Sequence, residues 1–280
     1  MDRAARARYD ALMPSVISIT DPDDPRIAPF RAVRERDLVG REGHFIAEGE
    51  VVLRKLVASA RHRPVSLLLA EKRLGRLADV LDRLPGDVPV HAAAQEVVDA
   101  IAGLHLHRGI LALGRRRSEE DEADALLASL PGRALVLVLI GIANHDNMGG
   151  LFRNAAAFGV HAVLVDTTSC DPLYRKAIRV SAGAVLDVPF VRIAEADVLA
   201  ALARHGIPAV SLSPSGKYEL SSFDVPPRAA LLFGAEGYGL PRHILEKTVT
   251  VRIAMAPGFD SLNVATSSGI ALYHFARAHF

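Results

Sequence analysis

Along the 280 residues, short and nearly unbroken apolar runs alternate with stretches whose apolar residues recur at helical spacing. In the first part of the chain the runs at 44–47, 65–70, 88–91 and 110–113 predict strands. Between them Val51, Val52, Leu56 and Val57 lie at helical spacing, as do Leu74, Leu77, Ala78, Leu81 and Leu84, a second series closed by Pro85. Beyond a polar stretch of mixed sign at 114–124 the alternation strengthens, with strands predicted at 134–142, 161–166, 188–193, 209–212, 229–234 and 249–255. Strands that are apolar throughout are covered on both faces, and regular exchange of strand and helix favours a parallel sheet. The expected fold class is therefore α/β, divided into a flexible tail (1–13), a small α/β domain (14–114), a linker (115–128) and a second α/β domain (129–280). In a parallel sheet, ligands are expected at the carboxyl ends of the strands.

Composition narrows the classes of function. With 50% apolar and 23% charged residues the chain has the balance of a globular protein. Its longest apolar run, 134–142, is less than half of the roughly 20 residues a membrane-spanning helix needs, so no membrane span is expected. A single cysteine, Cys170, allows neither an internal disulfide nor a cysteine-based zinc site, and it fits a cytoplasmic location. A net charge of +1 does not by itself indicate a polyanionic partner. Among eleven histidines, His105 and His107 are only two apart and no His-Glu-x-x-His helix occurs, so no metal is expected. No dinucleotide-binding glycine fingerprint follows the first strand of either domain, and no phosphate-binding Gly-Lys-Ser/Thr loop is present.

Three strand-ending loops are rich in residues that apolar packing does not explain: Ala143-Asn-His-Asp-Asn-Met-Gly-Gly150, Gly234-Ala-Glu-Gly-Tyr-Gly239 and Ala256-Pro-Gly-Phe-Asp-Ser-Leu-Asn263. In the first, Asp146 or Asn147 is expected to cap a helix that presents Arg153 about two turns on, beside the small residues Ala155, Ala156 and Ala157. In the second, Glu236 stands between glycines that permit close approach of a ligand to the main chain. In the third, Ser261 or Asn263 caps the last helix, expected from Leu262 to about Ala278; the run Thr266-Ser-Ser-Gly269 suits close packing on a loop or a symmetry mate.

At these loops the sequence resembles the SpoU (TrmH-like) branch of the SPOUT superfamily, S-adenosylmethionine-dependent RNA methyltransferases that modify a ribose 2′-hydroxyl. Asn147, Gly149 and Arg153 match its Asn-x-Gly-x-x-x-Arg core. Gly234-Ala-Glu-Gly-Tyr-Gly-Leu240 matches the second motif and Ile253 to Val264 the third, with Ala254 where proline is common. Phe45-Ile-Ala-Glu-Gly-Glu50 and His107-Arg-Gly-Ile-Leu111 are similar to the family's substrate-binding domain, which is related to ribosomal proteins.

The resemblance implies a C-terminal parallel sheet of six strands with a deep trefoil knot, and a homodimer paired near that knot. It also implies S-adenosyl-L-methionine as cofactor, held by main-chain groups at Gly234, Ile253 and Leu262 with Leu212 or Ser213 completing a pocket that includes Gly239 and Met255. Arg153, Asn147, Glu236, Ser261 and Asn263 would surround the reacting ribose, partly across the dimer interface, with Glu236 orienting either Arg153 or Asn147. A guanidinium is almost always protonated in proteins, so Arg153 is expected mainly to anchor a phosphate and stabilise the developing alkoxide, with proton removal shared or passed to water. The distinct N-terminal domain favours ribosomal over transfer RNA. Arg54, Lys55, Arg61, Arg63 and Arg115 to Arg117 are candidate phosphate contacts. A non-catalytic RNA-binding or ribosome-assembly protein of the same fold is the alternative from another class.

Overall fold

The computed structural model describes residues 16–31, 43–102, 109–116, 123–259 and 261–277. The tail at 1–13, His105, His107, Arg108, Arg117 and Asp260 lie outside the described residues. The chain divides into two compact units, the first of 1–118 with 173–186 and the second of 119–172 with 187–280.

The first unit contains β1 (Val16–Ile19), β2 (His44–Glu48), α1 (Glu50–Ala58), β3 (His62–Ala70), α2 (Ala78–Leu81), β4 (Val90–Ala93), α3 (Gln95–Ala102) and β5 (Ile110–Arg116). Its sheet runs β1-β4-β3-β5-β2, with β1, β4 and β3 parallel and β5 antiparallel to both its neighbours. Leu68, Leu111 and Leu113 carry the core beneath it, with Ile27, Phe30 and Val98 packed against them. The expected helix over 74–84 is instead two 3-10 turns, Glu71–Arg73 and Gly75–Leu77, followed by the four residues of α2. Gly75 weakens a continuous helix, and a 3-10 turn also keeps residues three apart on one face, so Leu77, Val80, Leu81 and Leu84 are still buried.

In the second unit the chain passes through α4 (Ala123–Ala128), β6 (Ala134–Leu139), α5 (His145–Ala157) and β7 (Ala162–Asp166). Next comes α6 (Arg175–Val180), which counts with the first unit; there the Arg175 Nε donates to Glu48 on β2 at 3.0 Å. The second unit resumes with β8 (Phe190–Ile193), α7 (Glu195–Arg204), β9 (Ala209–Leu212), β10 (Tyr218–Glu219), β11 (Arg228–Phe233), α8 (Arg242–Leu245), β12 (Val249–Arg252) and α9 (Val264–Ala276). Every pairing in its sheet, ordered β10-β12-β9-β11-β6-β7-β8, is parallel. There are seven strands where six were expected, because the two-residue β10 joins the edge at β12. All of β6 and β7 is buried, as a strand covered on both faces requires. The segment 115–128, expected as a linker, includes the last two residues of β5 and all of α4.

Helices α5 and α9 pack closely, and their small residues have a local reason. A Cβ at Gly150 would lie 2.7 Å from that of Ala265, while the Asn154 amide donates to the Ala265 carbonyl at 2.7 Å and the Ser268 hydroxyl at 2.8 Å. The close approach therefore falls at Gly150 and Asn154; of the three alanines only Ala155 is buried, and Ala156 and Ala157 face outward.

Candidate active site

The carboxyl ends of β6, β11 and β12 lead into the three polar loops, on the side where a parallel sheet places its ligands. Asn144, not Asp146 or Asn147, caps α5: its side chain accepts from the Asp146 and Asn147 main-chain N–H groups at 2.8 and 3.4 Å. Three Asx residues in four positions offer the same capping chemistry, and Asn144 is the one with extended backbone just before the first turn. The side chain of Asn147, only 6% exposed, is thereby free to turn inward.

There it meets the other two loops. The Asn147 amide donates to Glu236 Oε1, and the Asn263 amide donates to Asn147 Oδ1 at 2.9 Å and to Glu236 Oε1 at 3.2 Å. Asn263 has a second task, its Oδ1 capping α9 by accepting from Ala265 N at 2.9 Å. Of the two candidates for that cap, Asn263 fills the position, and the helix starts at Val264 instead of Leu262. Glu236 orients Asn147, the second of its expected alternatives.

Beside the cluster is a cavity of about 370 Å³. Its walls include Leu212, Ser213, Gly234, Gly239, Ile253, Met255 and Leu262, together with Glu236 and Ser261. Gly234 is set by close approach: a Cβ there would lie 2.2 Å from the Gly239 carbonyl carbon and 2.3 Å from Leu240 N. Gly239 in turn donates its N–H to the Ala235 carbonyl at 3.0 Å, closing the loop that carries Glu236. Tyr238, absent from the expected residues, lines this cavity and also a neighbouring cleft of about 280 Å³.

Arg153 stands apart. It is exposed on α5, lines neither cavity, and has no hydrogen-bond or ion-pair partner among the described residues. Of the arginines expected to contact phosphate, Arg54 is engaged by Glu50 at 3.0 Å and Asp79 at 2.6 Å, and Arg63 is 3.7 Å from Asp87.

A buried carboxylate missed by sequence reasoning supports the first loop. Asp166, 1% exposed at the end of β7, accepts from the main-chain N–H groups of Gly141 (3.0 Å), Thr168 (3.0 Å) and Ser169 (2.9 Å) and from both hydroxyls. The Ser169 hydroxyl in turn accepts from Ile142 N at 2.8 Å. Burial pushes the Asp166 carboxyl upward, but the hydrogen bonds from Ser169, Thr168 and Gly141 outweigh it and hold the group below its usual range. A depressed folded-state pKa stabilises the protein above the ordinary carboxylate value, and the contribution is lost as pH falls through the folded one. Asp166→Asn should therefore lower stability by about 2–3 kcal/mol at pH 7 in urea unfolding, with a smaller difference from the parent as pH falls below 4. Burial also pushes the Cys170 thiol up to about 11, which keeps it protonated and unreactive near neutral pH.

The profile of the SpoU rRNA methylase family matches residues 134–273, the span that contains every element of this site. An uncharacterised tRNA/rRNA methyltransferase of Mycobacterium tuberculosis is 39% identical over 94% of this chain and 92% of its own length. The chain belongs to the SpoU rRNA methylase family. It is an RNA methyltransferase. The 23S rRNA (guanosine-2′-O-)-methyltransferase RlmB of Bordetella pertussis is 30% identical over 79% of this chain and 94% of its own. Among solved structures, an AdoMet-bound rRNA methyltransferase from Sinorhizobium meliloti shares the fold with a TM-score of 0.80 at 21% identity, over 95% of this chain and 98% of that one. An RNA 2′-O ribose methyltransferase superimposes with a TM-score of 0.72 at 26% identity, covering 94% and 99%. Among the described residues, no group of three or more His, Cys, Asp or Glu side chains could hold a metal, and no helix is long and apolar enough to cross a membrane.

Proposed function

We propose that this SpoU-family enzyme transfers a methyl group from S-adenosylmethionine to a ribose 2′-hydroxyl of ribosomal RNA, in the cytoplasm. The observation that carries the reading is the hydrogen-bonded cluster of Asn147, Glu236 and Asn263 at the edge of a strand-end cavity. The cavity suits the cofactor: it is within the usual size range for small-molecule sites, and it combines apolar side chains with the main chain of a glycine-ended strand. Main-chain groups at Gly234, Ile253 and Leu262 would hold the adenosyl part between Leu212, Ser213, Gly239 and Met255. When bound, S-adenosylmethionine supplies an electrophilic sulfonium methyl.

The protein's own part is then positioning and charge. Asn147, fixed by Glu236 and Asn263, directs the incoming hydroxyl, and Ser261 lines the adjoining cofactor cavity. Arg153, held protonated, binds the phosphate beside the ribose and stabilises the oxygen as its proton leaves to water. Its lack of a partner among the described residues fits a role toward a second subunit. The exposed Ile270 (41%) and Tyr273 (58%) on the adjoining α9 support a homodimer on this face. The reading includes the family's knot in the C-terminal segment, and an N-terminal domain (14–114) that grips RNA. Ribosomal RNA is favoured by the likeness to RlmB.

The test incubates the purified protein and methyl-labelled S-adenosylmethionine with large ribosomal RNA, small ribosomal RNA and transfer RNA separately. Label is expected in one ribosomal pool, in alkali-resistant dinucleotides. Label in transfer RNA alone would reassign the substrate, and label in base-modified nucleosides would overturn the 2′-hydroxyl.

A further inference from the structure

Tyr238 has no role in the site as described so far, yet it occupies its most exposed point. It is 83% exposed, at the tip of the loop from Gly234 to Gly239, between Gly237 and Gly239 with φ of +94° and +70°. Added Cβ atoms at those two glycines would meet nothing within 4 Å, so the space on their side-chain faces is open. The ring nevertheless does not simply point into solvent. A Cβ at Gly141 would lie 3.9 Å from the Tyr238 hydroxyl, so the side chain reaches from the second loop across to the first. It lines both the cofactor-sized cavity and the neighbouring cleft, whose other walls include Gly141, Asn144, Asn147 and Glu236.

A large aromatic side chain left this exposed forfeits the burial that usually justifies one. Its position suits a flat ligand: the cleft shares Asn147 and Glu236 with the cluster described above, so a group entering it sits beside the reacting centre. Resting on the RNA-methyltransferase reading, we infer that the cleft seats the acceptor nucleotide and that Tyr238 is the platform on which its base stacks. The ligand class is an unpaired nucleobase, since a base inside a duplex has no free face to offer. Stacking tolerates any base, because each has a π-face. The ring therefore selects for an unpaired nucleotide, and base identity must be read elsewhere. Glu236 Oε1 already accepts both amides of the cluster, while its Oε2 makes no hydrogen bond among the described residues and is available to a polar edge entering the cleft.

The chain contains no tryptophan, so Tyr238→Trp creates a single indole reporter. With S-adenosylhomocysteine present, a short single-stranded oligoribonucleotide of mixed sequence should quench its emission, and the same sequence in a duplex should not. In the transfer assay Tyr238→Phe should stay near the parent, while Tyr238→Leu and Tyr238→Ala should both lose about tenfold in kcat/KM for RNA with unchanged S-adenosylhomocysteine affinity. Equal activity of the Leu and Phe variants would overturn stacking, as would RNA binding, followed by filter retention, without quenching. A loss of S-adenosylhomocysteine affinity matching the loss in kcat/KM would assign the ring to the cofactor instead. Transfer by the parent without quenching sinks this inference alone, whereas RNA-induced quenching without transfer to any RNA sinks the proposed function and leaves the stacking site standing.

Discussion

Arg153→Ala is expected to reduce methyl transfer by about 100-fold or more, the scale of removing a charged group aimed at a developing oxyanion. The cofactor's dissociation constant and the urea midpoint should not move. Arg153 is exposed and unpartnered among the described residues, so truncating it removes no packing, and a surface change of this kind ordinarily shifts stability by no more than about 0.5 kcal/mol. A large kinetic effect without a thermodynamic one would therefore locate its partner in bound RNA. Arg153→Lys should recover little, because an ammonium cannot reproduce the planar two-donor fork. If Arg153 completes the site of a second copy, co-expressed Arg153→Ala and Asn263→Ala chains should regain about a quarter of parental activity, since half of the randomly paired dimers carry one intact site. Near-parental turnover of Arg153→Ala would remove it from the chemistry. No recovery on mixing would mean that it serves its own chain.

Such a residue also marks the limit of what was legible before the structure. The second sheet could be read because residues 134–139 and 162–165 are apolar throughout, a pattern that admits few alternatives at that length. Asn147, Glu236 and Asn263 stood out because they lie in strand-ending segments whose composition packing does not require. Two things stayed hidden for different reasons. The cap of α5 was expected at Asp146 or Asn147 instead of Asn144 because all three offer the same capping acceptor, and only the backbone angles separate them. Asp166 was passed over at the end of the strand predicted at 161–166 because one of its partners, Gly141, comes from 25 residues away and donates through main chain, which leaves no trace in residue type. In the first unit, β1 was missed because four residues on a sheet edge carry too short a pattern.

Gly234→Ala is the substitution expected to cost most in the scaffold of the site. The atoms that a new methyl would meet, the Gly239 carbonyl carbon at 2.2 Å and Leu240 N at 2.3 Å, are main chain and have no rotamer to escape into. The Glu236 loop would have to open, breaking the Gly239-to-Ala235 hydrogen bond that closes it and moving Glu236 away from Asn147 and Asn263. Overpacking of this kind costs about 3 kcal/mol, so a lowered urea midpoint is expected together with at least a tenfold loss of S-adenosylhomocysteine affinity by calorimetry. Gly237→Ala separates this clash from general loop strain. Gly237 also has a positive φ, of +94°, but a Cβ there meets nothing within 4 Å. Only the backbone preference, about 1–2 kcal/mol, is then at stake. Cofactor affinity should survive Gly237→Ala and fail in Gly234→Ala. Equal losses would mean that the cavity depends on the loop's conformation alone and not on the close crossing of its two ends.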